Sequence, residues 1–132
     1  MNTFRLSFAA APLAIALSLG FTGCSTVDLD STGDTAAVYQ LNEFKMVLNS
    51  TAPAAFAATQ KAFKELDLYE TKSKLATYAG ELNARSRKDE RVYVTVEEVN
   101  SRQTILKIRW STAGDRKNSK ALYDLIERNL QH

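Results

Sequence analysis

Residues 91–110 read RVYVTVEEVNSRQTILKIRW, and this stretch decides the fold. Val92, Val94 and Val96 alternate with Tyr93, Thr95 and Glu97; Leu106, Ile108 and Trp110 alternate with Lys107 and Arg109. A period of two with one apolar face is the pattern of an antiparallel strand packed on one side and wet on the other. Asn100-Ser101-Arg102 supplies a turn between the two runs. Closing the hairpin there sets Val96 opposite Leu106 and Val94 opposite Ile108 on the core face. The same register sets Thr95 opposite Lys107 and Tyr93 opposite Arg109 on the outer face, where a cation–π pair would contribute ~0.5–1 kcal/mol.

Working outward, Tyr78, Gly80, Leu82 and Ala84 alternate with Glu81, Asn83, Arg85 and Arg87, which predicts a third strand with Tyr78 on its core face. Farther upstream, NSTAPAAFAATQKAFKELDL (residues 49–68) predicts a helix. Ser50 or Thr51 would cap it, Pro53 falls in its first turn, and Phe56, Thr59, Phe63 and Leu66 form one stripe. Its alanines allow close approach to a sheet. Ahead of it, Phe44, Met46 and Leu48 share one strand phase while Tyr39 and Leu41 have the other, which predicts a strand with a bulge near Asn42. Val38, Leu41, Phe44 and Leu48 also fit helical spacing. GDRKNSKALYDLIERNLQH (residues 114–132) predicts a last helix with Leu122, Leu125, Ile126 and Leu130 inward, capped by Asp115 or Ser119.

The elements run β-α-β-β-β-α, with room for a short extra strand at 68–71. The fold class is α+β: a small antiparallel sheet of about four strands with two helices on one face. Residues 36–132 form this single domain, a size sufficient for one modest core.

The N-terminal part is different in kind. Arg5 is its one charged side chain, and residues 6–23 carry none. Three readings fit: a short membrane helix weakened by Pro12, a plain cleaved signal, or a lipoprotein signal. Phe21-Thr22-Gly23-Cys24 resembles the bacterial lipobox, with Thr22 and Gly23 in keeping with it and Phe21 replacing the usual Leu. That resemblance implies cleavage between Gly23 and Cys24, removal of residues 1–23, and acyl chains on Cys24. A single chain binds a bilayer only marginally, at ~0.8 kcal/mol per buried methylene, whereas two or three hold firmly. Ser25, in place of an Asp after the cysteine, favours an outer-membrane location facing the periplasm. Residues 24–35 then form the acylated residue and a polar tether. Asp28, Asp30, Thr32 and Gly33 have the spacing that opens a calcium loop, but Tyr39 stands where the bidentate Glu belongs.

Lipobox, tether, strand, Ala-rich helix, meander and last helix together resemble an uncharacterised family of small bacterial lipoproteins. Its hallmark is an Ile-Arg pair, a turn with Gly-Asp, and a Ser four residues on, matched here by Ile108, Arg109, Gly114, Asp115 and Ser119. Ser111 and Trp110 depart from its commoner Gly and Val. The resemblance implies fold and location and brings no activity.

The residues themselves argue against catalysis. Cys24 is the one cysteine and His132, the last residue, the one histidine. They build neither a nucleophile–histidine pair nor a zinc site. Glu97 and Glu98, adjacent on a strand, face opposite ways. No cofactor is expected. Lys plus Arg number 17 against 15 Asp plus Glu, so no field strong enough to capture nucleic acid results. One basic cluster, Arg85, Arg87, Lys88 and Arg91, flanks a hairpin whose tip holds Asp89 and Glu90, both read as solvated. It is a weak candidate for an anion, lipid head groups or cell wall.

The sequence therefore predicts a non-enzymatic, lipid-anchored envelope domain. Its partners would be the membrane, through Cys24, and an unidentified envelope protein or cell-wall component. A small enzyme with dispersed carboxylates and a bitopic protein retaining residues 6–23 are the alternatives.

Overall fold

The computed structural model describes residues 25–28 and 36–131. The proposed signal segment, Cys24, most of the tether and His132 lie outside the described residues.

The elements are β1 (Ser25–Asp28), β2 (Ala36–Gln40), β3 (Glu43–Leu48), α1 (Ala52–Glu65), β4 (Tyr69–Leu75), β5 (Ala79–Arg85), β6 (Arg91–Asn100), β7 (Gln103–Trp110) and α2 (Arg116–Leu130). All strand pairs are antiparallel, in the order β1-β2-β3-β7-β6-β5-β4. The class is α+β with two helices, as expected, but the sheet is larger than the four strands predicted. It has six strands between residues 36 and 110, and Ser25–Asp28 adds a seventh at the edge, where a tether was expected.

The β6–β7 hairpin has the predicted register: Val94 pairs with Ile108, Val96 with Leu106, Tyr93 with Arg109 and Thr95 with Lys107. Continuing the same rows outward, Ile108 pairs with Phe44 and Val94 with Leu82. Phe44, Ile108, Val94 and Leu82 thus form one line across four strands, each fully buried. Both helices cover this face. The Tyr123 ring of α2 meets Phe44 with centroids 5.3 Å apart. On α1, Phe56 packs onto Gly80, where any Cβ would come within 2.6 Å of the ring. Where α1 ends, Glu65 accepts from Asn129 (2.8 Å) and from Arg128 (2.5 Å) of α2. These donors, Asn129 first, hold the Glu65 carboxyl below the usual carboxylate range.

The phase change read as a bulge near Asn42 is a hairpin turn. Tyr39 pairs with Phe44 and Gln40 with Glu43, leaving Leu41-Asn42 as a two-residue loop. Both loop residues have positive φ, 51° and 64°, as the primed turns of two-residue hairpins require. The chain reverses here rather than bulging, so Tyr39 and Phe44 share a face.

The second difference is β4. The extra strand expected at 68–71 runs from Tyr69 to Leu75 and forms the far edge of the sheet. It carries a register shift between Glu70 and Lys72, together with Lys72 and Lys74. Irregularity and lysines of this kind protect an edge from pairing with other chains. Tyr78, expected on the core face, lies before β5 and is exposed.

Thr51 caps α1, its hydroxyl accepting from Ala54 N–H at 3.4 Å. The first turn of α1 contains no acidic residue, and Glu98 of β6 provides one from outside: its carboxylate accepts from Ala52 N–H at 3.1 Å. A negative group at a helix N-terminus complements the helix dipole.

Candidate functional site

Of the five residues expected to form a motif, Gly114, Asp115 and Ser119 lie at the junction between β7 and α2, whereas Ile108 and Arg109 sit on opposite faces of β7. Ile108 is core. Arg109 points from the outer face and meets Glu43 (3.7 Å), so its guanidinium turns to this carboxylate rather than to the Tyr93 ring expected opposite it. Gly114 has φ +78°, and a Cβ there would collide with the Tyr39 hydroxyl and come within 2.6 Å of Asn42 Cβ. Asp115, rather than Ser119, is the N-cap of α2: its carboxylate accepts from Asn118 N–H (2.9 Å) and from the Asn118 side chain (2.8 Å). The Arg116 guanidinium lies 5.1 Å from the centre of the Tyr39 ring. Ser119 is fully buried, and its hydroxyl has no hydrogen-bond partner among the described residues. The motif thus docks the β7–α2 turn onto the β2–β3 turn. Its carboxylate occupies the helix terminus that would otherwise attract an anion.

The basic cluster separates into two pairs. Arg85 and Arg91 are cross-strand neighbours on the outer sheet face, in line with Tyr69. Arg87 and Lys88 lie on the tip beyond them, where Arg87 meets Asp67 (3.1 Å) with both groups largely exposed. Such exposed pairs contribute little. Arg85 meets Asp89 at 2.7 Å. Glu90 is not solvated as read: it is part-buried and accepts from Trp110 Nε1–H at 3.0 Å. Ser86 closes the tip, its hydroxyl accepting from Lys88 and Glu90 N–H, both at 3.2 Å.

Neither helix covers the outer face, and next to Arg85 and Arg91 it forms an open hollow of about 460 Å³. Tyr69 and Tyr93 flank it, and Asn83 lines it. The Asn83 side-chain oxygen, Oδ1, is buried and has no hydrogen-bond partner among the described residues. Most buried polar atoms are paired, so an orphan acceptor on a residue that lines the hollow is unusual. The two arginines suit a ligand with an anionic group, which at Arg85 would compete with Asp89. Neither Tyr69 nor Asn83 was singled out from sequence, because their meeting depends on β4.

Among the described residues, no group of three His, Cys, Asp or Glu side chains is placed to hold a metal ion. Glu97 and Glu98 diverge as expected, with Glu98 engaged at α1. The family model described as "Protein of unknown function (DUF3568)" matches residues 7–129. The chain belongs to this family. No curated protein matches it. The DUF3568 match takes in the apolar segment from residue 7 and the folded part up to residue 129, the penultimate residue of α2.

Proposed function

We propose that this protein is a lipid-anchored lipoprotein of the bacterial envelope, held by acyl chains on Cys24 after removal of residues 1–23, and that its folded part is a non-catalytic binding module. The observation that carries the binding role is the division of the sheet. One face is closed by α1 and α2, while the other is bare and contains the Arg85–Arg91 hollow with its orphan Asn83 acceptor. The anchor reading rests on Phe21-Thr22-Gly23-Cys24 at the end of an uncharged run. The near-neutral balance of Lys plus Arg against Asp plus Glu gives no support to nucleic acid as the partner. Ser25 in place of Asp favours an outer-membrane location facing the periplasm.

Cys24→Ala is the direct test of the anchor: the variant is expected to leave the membrane fraction or to accumulate unprocessed. Unchanged membrane retention of a processed chain would refute it. For the binding role, a photo-cross-linking residue at Thr95, on the bare face, is expected to trap a discrete envelope species in cells. The same probe at Lys61, on the exposed side of α1, serves as the reference. Equal, diffuse labelling from both would count against a dedicated outer-face partner.

A further inference from the structure

Leu41 is the most exposed large apolar residue described, at 84%, and it lies in the tight β2–β3 turn with φ +51°. Primed turns favour Asn and Gly at such positions because a branched side chain strains against the left-handed backbone. Asn42, the second turn residue, has a packing role against Gly114. Leu41 has a conformation that disfavours it and surroundings that do not bury it. A strained residue with no evident structural return points to function.

Its place in the sheet indicates which. Ser25 pairs with Tyr39, two residues before Leu41. The start of β1 and the Leu41 turn therefore lie at the same end of adjacent strands, and Cys24 precedes Ser25 by one residue in the sequence. With strands ~4.8 Å apart and a rise of ~3.3 Å per residue, the start of β1 at Ser25 lies within about 10 Å of Leu41.

We propose that the Leu41 turn inserts into the bilayer that holds Cys24, so that the sheet stands end-on to the membrane with its β2–β3 turn as a second, non-covalent contact. This rests on the lipid-anchor reading. The alkyl side chain enters the acyl region, where exposure of a leucine carries no cost. A rigid two-point contact would fix the outer face across the membrane normal instead of leaving the domain to swing on a tether.

The test uses the full chain, purified in its membrane form and reconstituted into phosphatidylethanolamine–phosphatidylglycerol vesicles. Leu41→Cys and, as reference, Ser101→Cys at the β6–β7 turn on the opposite end are labelled with an environment-sensitive fluorophore. A lipid-borne quencher is expected to quench position 41 several-fold more than position 101. Equal quenching overturns the proposal. Intact mass separates the two ways of failing: an acylated Cys24 with equal quenching defeats the insertion alone, whereas an unmodified Cys24, taking a second label, defeats the anchor and the insertion with it. Leu41→Asn in detergent is expected to raise Tm, because Asn tolerates the turn better; a fall would show that packing holds Leu41 and would also overturn the proposal.

Discussion

Gly114→Ala is the perturbation that the β7–α2 junction makes most consequential. Two separate costs arise. The backbone at φ +78° is left-handed, a conformation that costs an L residue roughly 1–2 kcal/mol. The new methyl would also meet Asn42 at 2.6 Å from Cβ and 2.8 Å from Cα, and the Tyr39 hydroxyl closer still. Forcing a methylene-sized group into packed surroundings costs about 1–3 kcal/mol. Backbone at Asn42 cannot swing aside as a flexible side chain can, so the two costs add to roughly 2–5 kcal/mol. A domain of this size loses ~4–8 °C in Tm per kcal/mol, which makes the expected fall at least about 8 °C. Urea unfolding followed by far-UV circular dichroism measures it, with a lower midpoint and an unchanged m-value. Tyr39→Phe in the Gly114→Ala background is expected to recover part of the loss by removing the hydroxyl, giving a coupling energy in the double-mutant cycle. A Gly114→Ala variant within about 0.5 kcal/mol of the parent, the range of ordinary surface changes, would refute the docking of these turns.

Further outcomes follow from single contacts. Asp115→Ala removes the α2 cap and is expected to cost about 1 kcal/mol in the same unfolding assay. Ser119→Ala should be neutral or stabilising, because it removes a buried hydroxyl without a partner; a loss above about 1 kcal/mol would mean the hydroxyl is bonded after all. Burial, with Glu127 beside it, pushes the Tyr123 hydroxyl well above the usual tyrosine range. The folded state then holds this proton more tightly than the unfolded chain, so stability present below pH ~10 falls as pH rises beyond it. Tyr123→Phe is expected to flatten that alkaline decline in a pH series of Tm, and an identical slope in both proteins would contradict the assignment.

The central part of the fold was legible because the β6–β7 hairpin combines two clean alternations with a short polar loop, which leaves one register that buries both sets of valine, leucine and isoleucine. Both helices were legible from caps and stripes. What escaped shares a physical cause: pairing with distant segments leaves little local signal. β4 is exposed along almost its whole length, so Tyr69–Leu75 shows no apolar alternation. The Leu41-Asn42 turn lacks the Asn-Gly or Asp-Gly pair that announces a two-residue hairpin, and its phase change resembled a bulge. Glu90 looked solvated beside Asp89 until the β6–β7 pairing brought Trp110 across to it. Glu98 looked like half of a failed carboxylate pair, and its service at the α1 N-terminus depends on a contact 46 residues away in the chain. The hollow was half visible. Arg85 and Arg91 belonged to the basic cluster, but the register alone divides them from Arg87 and Lys88, and Tyr69 joins them only through β4.

The anchor and the end-on insertion both depend on the state of Cys24, and the intact mass of the chain extracted from membranes reads that state directly. The expected result is a chain beginning at Cys24 and heavier than its amino acids by two or three acyl chains with their glycerol. A chain that retains Met1 and carries an unmodified Cys24 would contradict the account.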